Sequence, residues 1–253
     1  MGLSRNRAII LRTFKLAEAD KIVVCLTEKA GLVRGVARGA RRLLSRYGAA
    51  LEPFTLVNLT FFEKEGRELV TIKESEILRS FFDVAREPET LETLEYLAQL
   101  VEEFAPPRQV DERLYRMMRV CLEAVAERPE RVEAIARYFE LWLLKLSGFL
   151  PDILSCADCR RRLANETAPA FLSFERGLYC PACSGEGGVQ LAPATYKQLV
   201  SMHTQGPGAW AEEYSTLPPR SREILTDVSR RWVRNALERE PRRGRLSVGT
   251  AAS

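Results

Sequence analysis

Four of the six cysteines stand in two identical short spacings, Cys156-x-x-Cys159 and, after twenty residues, Cys180-x-x-Cys183. Two such knuckles supply four thiolates, enough to close a tetrahedral shell around Zn²⁺ and leave no open position. A metal held that way staples structure and activates no water. A redox dithiol would need one reactive pair beside a thioredoxin-like βαβ unit, and the pattern contains none. Arg160, Arg161 and Arg162 adjoin the first knuckle. They suit a DNA contact, or a face that balances the formal −2 charge of a zinc tetrathiolate.

A second constellation is Lys29, Arg34, Arg38, Arg41, Arg42 and Arg46, with no acidic residue between Glu28 and Glu52. Glycines 31, 35, 39 and 48 interleave with them, which suits a flexible loop whose guanidiniums spread along a phosphodiester backbone. If all six met single-strand phosphates, log K would fall with log salt by a slope of about −4. A solvated surface is the other reading of such a run. Tyr47, Phe61 and Phe62 are candidate stacking platforms and equally candidate core residues.

Other chemistry finds little support. The chain has one histidine, His203, which removes most triad and multi-histidine metal sites. It falls near an expected helix end, where an imidazole partners the last carbonyls. Glu102-Glu103 and Glu212-Glu213 are sequence neighbours that point apart on a helix. No phosphate-binding Gly-x-x-x-x-Gly-Lys-Ser/Thr loop occurs. The expectation is a protein without catalysis. Cys25 and Cys121 lie in apolar patterns and read as buried thiols.

The elements that must carry these residues follow from periodicity. Segments 7–14, 21–27, 31–39, 54–62 and 69–72 read as five strands, and five strands in so short a span suggest an OB-fold barrel. Beyond Phe81 the period becomes helical. Pro88 opens a helix with Leu91, Leu94, Leu97, Val101 and Phe104 on one face, closed by Pro106-Pro107. Segment 111–126 follows, and then a helix opened by Pro129 and stopped by Gly148 and Pro151. Two more helices are expected over 193–203 and 221–240; Trp142, in the helix opened by Pro129, and Trp232 fall on apolar faces. The chain is therefore read as α+β: an OB-fold at 1–80, a helical bundle at 81–152, an inserted four-cysteine zinc module at 153–190, C-terminal helices packing on the bundle at 191–240 and a disordered tail at 241–253.

Charge is uneven across these parts. Residues 1–80 carry 15 Lys/Arg against 9 Asp/Glu, whereas residues 81–155 carry 9 against 15. A basic module suited to a polyanion is thus joined to an acidic one. No apolar run approaches the roughly 20 residues of a bilayer span, the start reads as a strand rather than a signal peptide, and a cytoplasmic, nucleoid-associated location is the default expectation.

The order of parts brings a family into view. Val36-Ala37-Arg38-Gly39-Ala40-Arg41-Arg42, then Ser45-Arg46 and Leu51-Glu52-Pro53-Phe54, resembles the "KGARR…S…LQPF" stretch of the RecO proteins. Tyr138-Phe139-Glu140-Leu141-Trp142-Leu143-Leu144, running through Gly148-Phe149-Leu150-Pro151 into Cys156-x-x-Cys159, resembles their "FELWLL…GYLP…C..C" signature. The resemblance implies an OB-fold, a helical domain and a zinc module. It also implies a mediator of recombinational repair in the RecF pathway, which binds single- and double-stranded DNA, anneals strands and helps RecA displace SSB. The implied partners are RecR and the acidic C-terminal tail of SSB. Arg38, Arg41 and Arg42 match the family's basic loop, with Arg38 where lysine is common. A zinc-stapled scaffold without DNA affinity, and a zinc or thiol enzyme, are the competing functions.

Overall fold

The computed structural model describes residues 2–163, 168–185 and 188–239; the expected tail at 241–253 lies outside them. Strands β1 (Gly2–Leu16), β2 (Asp20–Thr27), β3 (Gly31–Ala37), β4 (Thr55–Glu63) and β5 (Val70–Ser80) close a barrel in the order β1-β2-β3-β5-β4. A register shift between Ile10 and Arg12 bends β1, which pairs with β2 along its second half and with β4 along its first. The seam that closes the barrel is short and parallel, Gly35 against Val70 and Val36 against Thr71. Gly35 is required there, since a Cβ would stand 2.8 Å from Val70 Cγ2 and 2.9 Å from Ile72 Cγ1.

Near-continuous apolar runs such as Ala8-Ile9-Ile10-Leu11 arise because both faces of these strands are covered. Ala8, Ile10, Val23, Cys25 and Phe61 fill the barrel interior. Ile9, Leu11, Val24, Leu26 and Leu32 belong instead to a second core shared with the helices and the cysteine module.

The helices are α1 (Phe82–Ala85), α2 (Pro88–Phe104), α3 (Glu112–Glu127), α4 (Val132–Leu146), α5 (Pro193–Ser201), α6 (Pro207–Thr216) and α7 (Pro219–Arg239). Pro88 stands at the first turn of α2 as its sequence suggests, and the Asp111 carboxylate caps α3 by accepting from the N–H groups of Arg113 and Leu114. Helix α4 is central and packs on α2, α3, α6 and α7. Helix α6 does not appear in the sequence reading. Its stretch PGAWAEEYST has a weak apolar stripe, and its one signal is Pro207 at the first turn. Trp210 of α6 is fully buried and exchanges two hydrogen bonds with Gln198, its indole N–H to the Gln198 carbonyl and the Gln198 amide to its own carbonyl. Trp232 is buried as expected, and Trp142 is partly buried.

Strands β6 (Ala170–Ser173), β7 (Gly177–Tyr179) and β8 (Val189–Leu191) form a separate antiparallel sheet in the order β7-β6-β8, on which the cysteines are mounted. Among the described residues no helix is long and apolar enough to cross a membrane.

Candidate metal centre and nucleic-acid interface

The four knuckle cysteines converge. Their sulfurs all lie within 4.8 Å of one another, and Cys159 Sγ and Cys180 Sγ are 3.8 Å apart. A tetrahedral sulfur shell at about 2.3 Å from a Zn²⁺ has edges of about 3.8 Å, whereas a disulfide needs about 2.05 Å. The cluster therefore fits a four-thiolate metal site, and all four cysteines are free. The turn after the first pair is closed by the Arg160 N–H on the Cys156 carbonyl and by the Cys156 N–H on the Arg161 carbonyl. It places Arg160 at φ +61°, a left-handed position that a side chain rarely takes.

Burial pushes the Cys156 thiol up, but N–H donors at Cys180, Cys159 and Asp158 outweigh it and bring it down to about 6. Cys183, hydrogen-bonded among the other thiols, is pushed up to about 12. Four crowded thiols share protons unevenly, and a divalent cation lets all four ionise. Cys25 and Cys121 are inert by contrast: burial alone raises both thiols, Cys25 to about 12.

The basic constellation divides into three places. Arg38, Arg41, Arg42 and Arg46 are exposed and share the loop that leads from β3 to β4. Lys29 sits in the β2–β3 turn, beyond the opposite end of β3, a strand of about 20 Å at 3.3 Å per residue. Arg34 lies between and pairs with Glu102 of α2 at 3.2 Å, a carboxylate that Arg12 also approaches at 3.6 Å. The loop is fastened rather than flexible. Arg41 donates to the carbonyls of Ala17 and Glu18, its N–H bonds Ala19, and Gly39 N–H donates to Asp20.

Tyr47 and Phe61 are barrel core, not stacking platforms. The second half of the loop folds into the barrel end, with Tyr47, Ala50 and Leu51 buried among the strands. The Tyr47 hydroxyl donates to the Ile72 carbonyl and accepts from Arg46, whose guanidinium lies 5.0 Å from the ring centroid. Phe62 is half-buried.

Two features lie outside the sequence reading. A cleft of about 1660 Å³ opens between the barrel, α2 and α7. Arg137, Arg230 and Arg234 line one wall with Val132, Val233 and Leu237, as do Glu133 and Glu238, while Glu89 and Glu92 stand on α2. Beneath it Glu140, fully buried, accepts from the Tyr96 hydroxyl at 2.6 Å, the Ser229 hydroxyl at 2.6 Å and Arg137 at 3.0 Å. Arg137 is itself buried, with its Nε unpartnered. A glutamate inside the apolar run YFELWLL was the available signal. His203 also differs from expectation: its Nδ1 faces Lys145 Nζ at 2.8 Å, and burial followed by that ammonium lowers its pKa.

Comparison with known proteins places this architecture. The Recombination protein O N-terminal domain matches residues 1–81, and the Recombination protein O C-terminal domain matches residues 86–245. The chain is 36% identical to the DNA repair protein RecO of Rubrobacter xylanophilus over 189 residues, 74% of this chain and 73% of the relative. It is 34% identical to that of Symbiobacterium thermophilum over 206 residues, 79% and 81%. With that of Anaeromyxobacter dehalogenans it shares 30% identity over 225 residues, 88% and 87%. An OB-like barrel, a helical domain and a four-cysteine cluster in this order, matched along nearly the whole chain, make it a member of the Recombination protein O family.

Proposed function

We propose that the chain is a non-catalytic mediator of recombinational repair in the RecF pathway. It binds single- and double-stranded DNA, anneals complementary strands and, with RecR, helps load RecA onto SSB-coated single strands in the cytoplasm, at the nucleoid. The observation that carries this reading is the loop at one end of the barrel, where Arg38, Arg41, Arg42 and Arg46 are exposed together in a chain whose family relatives are DNA repair proteins. Barrels of this kind track a nucleic-acid backbone with such a basic rim. On this reading residues 1–80 contact DNA, 81–152 and 191–240 frame the partner cleft, and 153–190 hold one zinc ion. The zinc supplies a structural crosslink, with Cys156, Cys159, Cys180 and Cys183 as its ligands.

The acidic C-terminal tail of SSB is assigned to the cleft. Arg230 and Arg234, exposed on α7, offer two rim cations over Val132, Val233 and Leu237, with Glu133 and Glu238 also on the lining and the buried Arg137 committed to Glu140. Glu89 and Glu92 on the facing helix repel an anionic ligand from α2, which leaves Arg230 and Arg234 as its contacts. The cleft alone also suits the competing function, a protein-interaction scaffold without DNA affinity.

The deciding experiment is fluorescence anisotropy of a labelled single-stranded oligonucleotide across salt concentrations. Four phosphate contacts give a slope of about −3 rather than the −4 of all six cations. Arg38→Glu with Arg42→Glu is the clean reversal, because Arg41 and Arg46 also hold the loop in place. Loss of binding in that folded variant supports the mediator; wild-type protein that binds no DNA at low salt leaves the scaffold.

A further inference from the structure

Leu43 and Leu44 are the most exposed large apolar side chains among the described residues, at 101% and 95%. They occupy the two central positions of a turn in which the Ser45 N–H donates to the Arg42 carbonyl at 3.0 Å. Glycine, proline, asparagine, aspartate and serine are the usual occupants of such positions. Neither leucine enters either core. The turn is nevertheless held in place, since the Arg41 side chain and backbone, immediately before it, bond the β1–β2 turn, and Tyr47, just after it, is buried.

What meets this tip must be anionic and apolar at once. Arg41, Arg42 and Arg46 flank the leucines, and Arg38 precedes them on the same loop. Charge complementarity selects a polyanion. In duplex DNA the apolar faces of the bases are hidden in the stack, whereas a single strand offers them within reach of its phosphates.

We propose that Leu43 and Leu44 pack on unstacked bases of single-stranded DNA while the neighbouring arginines hold the phosphates, so that this turn selects single over double strands. The proposal rests on the DNA-binding reading of the loop and adds the strand preference to it.

The test compares wild-type protein with Leu43→Ser/Leu44→Ser and Leu43→Met/Leu44→Met. Both positions are fully exposed, so all three proteins are expected to melt alike. Affinity for a single-stranded oligonucleotide is expected to fall about 10-fold in the serine variant, as for aliphatic surface no longer covered by a base. The salt slope should stay unchanged, because the phosphate contacts remain. Affinity for a blunt duplex should change less than about 2-fold, the bases there being covered. A 2-aminopurine reporter in the single strand should brighten with wild-type and methionine proteins and stay dim with the serine variant. Unchanged single-strand affinity, or equal weakening on both DNAs, overturns the proposal. So does light scattering in which the serine change dissolves a dimer without altering DNA affinity, which would make the leucines a contact between copies. Wild-type protein that binds neither DNA overturns the reading beneath as well, an outcome distinct from wild-type binding that the leucines do not affect.

Discussion

Glu140 is a carboxylate with no water to ionise in, held by two hydroxyls and a buried guanidinium. Breaking such a group from one side leaves its partners stranded, so Glu140→Ala should cost about 3–5 kcal/mol, read from urea unfolding. Burial raises its pKa despite Arg137, Ser229 and Tyr96. A raised carboxylate pKa means the folded state binds the proton more tightly than the unfolded one. Its contribution is therefore fully present below the ordinary glutamate value and is lost as pH rises through the folded value. Wild-type stability measured against Glu140→Gln should improve as pH is lowered from neutrality toward that range. At the cysteines, Cys156→Ser should lower bound metal, measured by elemental analysis, and destabilise the C-terminal region. The cysteine set was legible because ligand spacing is local. The roles of Tyr47 and Glu140 were not, since a phenol reads alike in a core and on a stacking platform, and Glu140 acquires its partners from residues 44 and 89 positions away.

Among the elements, β3 shows how much one strand decides. Gly35 lets β5 close the barrel, and Gly31, at φ +68°, lets the chain after α2 lie against it; a Cβ on Gly31 would collide with the Gln109 carbonyl oxygen. Gly31→Ala should thus cost about 2 kcal/mol or more from backbone strain and displacement together, visible as a lowered melting temperature. Arg34, midway along the strand, is committed to Glu102 and so joins barrel to helix. The strands and most helices were readable because periods of two and 3.6 are strong here. Helix α6 escaped because an alanine- and glutamate-rich turn around one tryptophan carries little amphipathic contrast. The division of the basic run escaped for another reason: charge in sequence is linear, whereas β3 carries Lys29 and Arg38 to opposite ends of the barrel.

Over the whole molecule, net charge changes sign between barrel and helices, and the two proposed binding surfaces follow that division. The loop and the cleft should then be separable. Arg38→Glu/Arg42→Glu is expected to lose DNA and keep an acidic peptide ending in the SSB tail sequence. Arg230→Glu/Arg234→Glu is expected to do the reverse, with peptide affinity reduced at least about 10-fold by reversal of two rim charges. Parallel anisotropy titrations with labelled DNA and labelled peptide read both; joint loss in either variant would argue for one shared surface. The shared core beneath explains why such exchanges of surface charge should leave the fold intact.

The bridge between Leu32 and Pro107 carries a consequence for how the chain comes off the ribosome. The Arg108 N–H donates to the Leu32 carbonyl, and the Arg108 guanidinium bonds the carbonyls of Arg67 and Glu68, so residues 107–108 cover the stretch of β3 that its short seam with β5 leaves unpaired. A nascent chain that has emerged only as far as Ser80 holds every strand of the barrel but exposes that unpaired stretch of β3, together with the apolar outer face of Ile9, Leu11, Val24 and Leu26. Unpaired strand edges and bare apolar faces are what chaperones capture and aggregates grow from. The barrel is thus translated ahead of the helices that cover it, and a fragment ending at Ser80 should associate with itself more readily than the full chain, as light scattering would read.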